Sequence, residues 1–323
     1  MNLLQKSILS TIAYYDVLDC PLTGFEVFKY LINPLHIMAQ SGLSGKLEPL
    51  TKYSYSDVLS GLKGLKGIEG KNGFYFLSGR KELYDIRIER QKLSDAKWRK
   101  VRKTIKTLQS LPYIRLIALS GSVSFGNAKQ ESDVDLLIVA KHKRIWTVRF
   151  FYTFVVHMFG KRRHGSKTKD RICLNHYITD KSLEIGFPSL YNAQVYAHLV
   201  PILGRCYPDF QKANSWIKEY LNDYPENNDL RMKESKFLLK AARVREFLLN
   251  NFLGDLLEGF LRFIQKRIIK SHAKKDKGIG RVLANDFQLE FHPGSPELKI
   301  LAKYNENMLR LGFTINQEKP SII

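Results

Sequence analysis

The chain has little cysteine and no long apolar run, and these shortages exclude several classes of protein. Its 323 residues include only three cysteines, Cys20, Cys173 and Cys206, whose spacing fits neither a disulfide framework nor a zinc site. The most membrane-like stretch, residues 145–159, is short for a membrane span and is interrupted by an arginine and a histidine. The N-terminus lacks the long apolar run and small-residue cleavage site of a signal peptide. We therefore expect a cytoplasmic protein with no membrane insertion.

Acidic residues are also scarce. The 31 aspartates and glutamates face 52 lysines and arginines, which gives a formal net charge of +21. A surplus of this size attracts polyanions, whether nucleic acid, nucleotides or an anionic membrane surface. A basic surface that serves only solubility is the alternative. The length allows two or three domains.

One short pattern stands out. A glycine-serine turn, Gly121-Ser122, ends one apolar run, and Asp133 and Asp135 stand at the head of a second one. Because strand side chains alternate, the two aspartates are predicted to point the same way. Two carboxylates this close repel each other unless a cation lies between them, and Mg²⁺ binds carboxylates together with substrate phosphates. The small turn lets backbone N–H groups approach a phosphate.

The stretch 117–139 resembles the signature of the DNA polymerase β-type nucleotidyltransferase superfamily, a glycine-serine pair followed by Asp-x-Asp in an apolar strand. The resemblance implies an Mg²⁺-dependent enzyme that moves a nucleoside monophosphate from a nucleoside triphosphate to an acceptor. It assigns the metal to Asp133 and Asp135, which are also catalytic. It assigns the nucleotide to Gly121, Ser122, Gly126 and Ser132.

A third carboxylate, which the family supplies from a later strand, is missing at the expected place. The best later strand, residues 172–179, has Asn175 and His176 at its centre. We predict that Asn175 takes the third catalytic position, facing the same way as Cys173 and Tyr177, with His176 on the opposite face. An amide can orient a substrate or ligate a metal, but it cannot accept a proton at neutral pH. His176 as the base, or Asp180 and Glu184 in another register, are the alternatives.

The predicted fold is α+β, with a polymerase β-like nucleotidyltransferase core between two other regions. Residues 1–80 read as a winged-helix domain, 81–112 as a long linking helix, 113–185 as the core and 186–323 as a helical C-terminal domain. The larger arrangement resembles bacterial proteins in which a winged helix precedes this core. A basic loop at 161–169 lies before the third strand, where it can reach substrate phosphates or remain solvated.

Three functional hypotheses remain open from the sequence. The first is the nucleotidyltransferase, whose partners are a nucleoside triphosphate and a nucleic-acid or protein acceptor. The second is a catalytically degenerate fold that binds nucleic acid through the winged helix and through basic surfaces such as the linking helix. The third is modification of a protein partner, as in the antitoxin-like minimal nucleotidyltransferases, which are much shorter.

Overall fold

A computed structural model of the chain describes residues 1–40, 52–163, 168–227, 229–273, 281–292, 295–313 and 317–321. The described residues form a mixed α+β body with a three-stranded and a six-stranded sheet. Within these ranges no helix has both the length and the apolarity that a membrane crossing needs.

The N-terminal module combines four helices with the small sheet. In chain order it contains α1 (Leu3–Val17), β1 (Leu22–Thr23), α2 (Gly24–Lys29), α3 (Pro34–Gln40), α4 (Tyr55–Leu62), β2 (Ile68–Lys71) and β3 (Phe74–Leu77). A capping box begins α2, since the Thr23 side chain accepts from the Glu26 N–H and the Glu26 side chain accepts from the Thr23 N–H. The strands pair antiparallel in the order β1-β3-β2.

A long helix, α5 (Leu83–Leu108), leads from this module to the large sheet. Three of its basic residues are withdrawn from solvent. Arg87 donates to Glu26 at 2.6 Å and to the Phe125 carbonyl at 3.0 Å, and Lys97 donates to Asp170 at 3.0 Å. Arg90 bonds to Asn127 at 3.0 Å. These cations join parts of the fold, so they are not available for the nucleic-acid contact that the sequence left open for this helix.

The large sheet has the strand order β7-β4-β5-β6-β9-β8. Its first strands along the chain are β4 (Ile114–Ser120), β5 (Val134–Ala140) and β6 (Ile172–Thr179), close to their predicted positions. The short α6 (Gly121–Ser124) follows β4, and α7 (Ile145–Met158) connects β5 to β6. β4 pairs antiparallel with β5, and β5 pairs parallel with β6.

The prediction of a helical domain over residues 186–323 missed three strands. The region contains β7 (Val200–Leu203), β8 (Arg281–Ala284) and β9 (Gln288–His292), all in the large sheet. Its helices are α8 (Leu190–Ala197), α9 (Tyr207–Ala213), α10 (Ile217–Tyr220), α11 (Lys236–Leu249), α12 (Phe252–Ala273) and α13 (Glu297–Arg310). These segments form strands because they pair with other strands of the large sheet. The apolar residues of β7 continue a helical spacing in the sequence, so the sequence predicted a helix there.

Both faces of the central strands are covered, as expected for an apolar strand such as β5. Residues of α5, α7 and α12 bury one face, and residues of α8, α9 and α10 bury the other. A third apolar cluster joins the N-terminal module to α13 through residues such as Leu9, Leu301 and Tyr304. The last described helix therefore packs on the first part of the chain.

Candidate active site

The two aspartates of the sequence pattern lie side by side at the start of β5. Oxygen atoms of Asp133 and Asp135 and the sulfur of Cys173 are all within 4.8 Å of one another. The predicted common direction of the two aspartate side chains is therefore confirmed. Register explains the arrangement, because Asp135 is paired with Ser120 on one side and with Cys173 on the other.

Gly121 is required at this point by both its backbone and its surroundings. Its φ of +65° lies in the left-handed region, which favours glycine. A Cβ atom here would lie 2.4 Å from Asp135 Oδ2. The turn and the carboxylate are thus in direct van der Waals contact, and any side chain at this position would displace Asp135.

The environment of Asp135 opposes its ionisation. Burial, and then the nearby Asp133 carboxylate, raise the pKa of Asp135 to about 7, although Arg163 and Cys173 act in the opposite direction. A bound cation would remove this repulsion. The two carboxylates suit a hard divalent cation, which takes oxygen ligands and completes its shell with phosphate or water.

The other members of the cluster have different roles. Arg163 donates to Asp133 Oδ2 at 2.5 Å and to the Cys173 sulfur at 3.4 Å. Burial, followed by Asp135 and Asp133, raises the pKa of the Cys173 thiol, so it remains protonated and is a poor ligand for a hard cation. Arg163 belongs to the predicted basic loop, of which residues 164–167 lie outside the described ranges.

A β-bulge changes which residues of β6 face the aspartates. Asp135 pairs with Cys173, but Leu137 pairs with His176, so two residues of β5 face three of β6. His176 therefore shares the Asp135 face, while Tyr177, paired with Ile138, lies on the opposite face with the other core cluster. The predicted alternation was wrong here, since it assumed a regular strand. Asn175 and His176 both line the cavity beside the aspartates.

A carboxylate that the sequence reasoning missed comes from β9. Glu290 is 5 % exposed, lies directly opposite His176 across the β6–β9 pair, and lines the same cavity. Its signal in the sequence was the alternation Gln288-Leu289-Glu290-Phe291-His292, which is typical of a strand. No short-range pattern places this strand beside β6.

The cavity has a volume of about 390 Å³, within the range of small-molecule sites. Gly121, Ser122, Asp133 and Asp135 lie on its wall, together with Tyr15 of α1 and Glu297 of α13. The wall includes a buried polar group in which the Tyr15 hydroxyl lies 2.7 Å from Gln194 Oε1 and 2.5 Å from His198 Nε2. Three parts of the chain thus enclose one space.

Gly126 and Ser132 lie apart from this cavity and are not among the described residues of its wall. Gly126 has a φ of +70° and faces the Gln91 side chain. The Ser132 hydroxyl accepts the Lys129 N–H at 2.9 Å, which closes a turn before β5. Both hold the loop between the turn and the aspartates.

Comparison with known proteins identifies the class of this region. Residues 99–200 match the family model described as a nucleotidyltransferase domain, and this range includes the turn, both aspartates and β6. No curated protein and no solved structure gave a significant match. The match supports a nucleotidyltransferase domain in residues 99–200, and domains of this kind belong to transferases that act on a nucleotide. Such domains generally use divalent metals, and the Asp133 and Asp135 carboxylates are the groups here that would hold one.

Proposed function

We propose that this protein is an Mg²⁺-dependent nucleotidyltransferase that transfers a nucleoside monophosphate from a nucleoside triphosphate to an acceptor and releases pyrophosphate. One observation carries the proposal. Asp133 and Asp135 converge on a cavity against the Gly121 turn, within the segment that matches a nucleotidyltransferase domain. Gly126 and Ser132, proposed from the sequence as nucleotide-binding, would act only by positioning the loop.

Each residue of the site has a distinct proposed role. Asp133 and Asp135 hold the Mg²⁺, which supplies Lewis-acid polarisation of the triphosphate. Gly121 and Ser122 hold the triphosphate at the turn. The Arg163 guanidinium, which neutralises Asp133 in the nucleotide-free protein, is well placed to bind a phosphate when the cation takes over the carboxylate.

The acceptor side needs a base, and Glu290 supports this role better than Asn175 does. When the acceptor oxygen attacks the α-phosphorus, the bond to the β-phosphate oxygen breaks and the acceptor proton must leave. Asn175 can orient an acceptor but cannot take that proton. Glu290 lies two strands from Asp135, on the order of 10 Å at the usual strand spacing, which leaves room for an acceptor between them.

The N-terminal module has the element order of a winged helix, and we propose that it closes the substrate cavity. Tyr14 and Tyr15 of α1, and Leu18 directly after it, line that cavity. The buried cations of α5 are used within the fold. These observations favour the enzyme over the degenerate nucleic-acid-binding module.

Calorimetry of ATP and GTP binding, with and without Mg²⁺, tests the proposal. The wild-type protein is expected to bind nucleotide only with Mg²⁺, and the Asp133→Asn/Asp135→Asn variant is expected to bind none. Asp85→Asn, an exposed aspartate on α5, is the control and should bind as the wild type does. Nucleotide binding that is equal in all three proteins would refute the assignment of the metal site.

Label transfer then identifies the acceptor. The protein is incubated with triphosphate labelled at the α-phosphate, together with nucleic acid, co-purified protein or a small-molecule extract. The fraction that acquires label in the wild type, and not in the double variant, contains the acceptor.

A further inference from the structure

Two consecutive helices, α11 and α12, leave an unusually apolar surface in solvent. Eight large apolar side chains on them are 60–82 % exposed. Two of the eight are Phe237 and Leu248, and we call the other six the apolar stripe: Phe247, Phe252, Leu253, Leu256, Phe260 and Phe263. Single exposed apolar residues are ordinary, but a row of large ones marks an interaction surface.

Helical spacing places the stripe on one side of α12. Phe252, Leu256, Phe260 and Phe263 follow one another at intervals of three and four residues. Leu261, Gln265 and Ile269 are buried on the side that faces the protein. The helix therefore has one apolar face that packs on the body and a second that meets solvent.

The acidic residues of the two helices bond to the body of the protein, whereas exposed basic residues lie beside the stripe. All three acidic residues of α11 and α12 are engaged with the body: Glu246 with Arg115, Asp255 with Arg144, and Glu258 with the N–H groups of Trp146 and Thr147. Exposed lysines and arginines beside the stripe include Lys240, Arg243, Arg267 and Lys270. The outward surface is thus mainly apolar at its centre and basic at its margins, although the Asp255 side chain is 67 % exposed beside its partner Arg144.

We propose that α11 and α12 bind the surface of an anionic lipid bilayer, with the apolar stripe at the boundary between headgroups and acyl chains. An amphipathic helix with Phe and Leu on one face and Lys and Arg beside it lies in that boundary and does not cross the membrane. The net charge of +21 strengthens the attraction to anionic headgroups.

Charge and side-chain type distinguish this partner from two others. A second copy of the chain carries the same positive charge, so bringing two such surfaces together is opposed by repulsion. A single-stranded nucleic acid would stack on the phenylalanines but gains little from Leu253 and Leu256. Neither helix contributes a described residue to the cavity, so membrane binding and nucleotide transfer can be lost independently.

Vesicle sedimentation of the full chain tests the proposal. The protein is expected to sediment with vesicles of mixed phosphatidylcholine and phosphatidylglycerol, and much less with phosphatidylcholine alone. The Phe252→Ser/Leu256→Ser/Phe260→Ser variant should weaken binding at least about tenfold, since it removes three apolar groups that would be buried in the bilayer. The control, Phe25→Ser/Leu298→Ser/Leu309→Ser, changes three exposed apolar residues on other helices and should bind like the wild type.

Three results would overturn the proposal. The first is equal vesicle binding by the stripe variant and the wild type. The second is a concentration-dependent dimer that the stripe variant abolishes, measured by light scattering, which would identify a second copy as the partner. The third is retention of a homopolymeric RNA that depends on the stripe and persists in the presence of vesicles. Melting temperatures of both triple variants near that of the wild type show that the comparison concerns the surface and not folding.

Discussion

At the scale of single residues, folding places the Asp135 carboxylate where its negative charge is unfavourable. The Asp135 carboxylate is held beside Asp133 and against Gly121, in surroundings that raise its pKa to about 7. The folded protein therefore binds the Asp135 proton more tightly than the unfolded chain does. The stability that this proton contributes is complete below the pKa of the unfolded chain, near 4, and is lost as the pH rises through about 7.

Replacing Asp135 by Asn is therefore expected to raise the melting temperature of the metal-free protein. The gain should be small near pH 4, grow up to about pH 7 and stay constant above it, because the pKa of Asp135 is shifted to about 7. Differential scanning fluorimetry across this pH range measures it, with Asp85→Asn as a control that shows no such trend. A gain that does not change with pH would contradict the electrostatic explanation.

Gly121→Ala is expected to abolish Mg²⁺-dependent nucleotide binding, because the added Cβ displaces the Asp135 carboxylate. Gly64→Ala is a matched control, since Gly64 has a φ of +68° but open space around its Cα. Both substitutions should cost about 1 kcal/mol of stability through the left-handed backbone. Calorimetry should then show lost binding only for Gly121→Ala. Intact binding by both would mean that the close contact has no functional role.

At the scale of elements, α5 acts as a brace between the N-terminal module and the sheet. The sequence predicted a long helix over residues 81–112, and the structure has α5 over most of that range. The sequence did not reveal which of its many cations would be buried, because their acidic and carbonyl partners lie far away along the chain. Arg87 meets Glu26 of α2 and the carbonyl of Phe125 after α6, 61 and 38 residues distant.

Arg87→Met is expected to lower the free energy of unfolding by about 3 kcal/mol, since it leaves a partly buried carboxylate without its cation. Arg99→Met, an exposed position on the same helix, should change it by less than about 0.5 kcal/mol. Urea denaturation of the two variants provides the comparison. Similar losses in both would show that the Arg87 contacts contribute little to holding the module.

The strands illustrate which elements a sequence can predict. β4, β5 and β6 are continuous apolar runs bounded by turns, so local pattern was sufficient to place them. The sequence predicted a helix where the structure has β7. Pro201 was a signal against a helix, because proline suits an edge strand, and β7 lies at the edge of the sheet. The bulge in β6 had no local signal, and it brought His176 onto the face of Asp135.

At the scale of the whole molecule, the cavity is assembled from segments far apart in sequence. The aspartates and the turn were predictable because they form a short pattern. Glu290 was not, because β9 follows β6 only after most of the C-terminal helices and reaches its neighbour through sheet pairing alone. The winged-helix assignment and the domain boundaries remain predictions.

Glu290→Gln tests whether this distant strand takes part in the chemistry. Turnover with an identified acceptor is expected to fall about a hundredfold, as is usual for loss of a general base, while Mg²⁺-nucleotide binding stays unchanged. Glu306→Gln, an exposed position on α13, is the control. A pH–rate profile that loses its acidic limb only in Glu290→Gln would distinguish a base from a packing residue. Unchanged turnover would exclude Glu290 as the base.

The contribution of α13 to the cavity wall also bears on how the protein is made. A ribosome delivers the turn and both aspartates early, but Ser295, Pro296 and Glu297 follow more than 150 residues later. A nascent chain that stops before residue 295 can build β4 and β5, yet its cavity lacks the part of the wall that Ser295, Pro296 and Glu297 form. The substrate cavity is therefore completed late in synthesis, when α13 has been made and can pack on the N-terminal module.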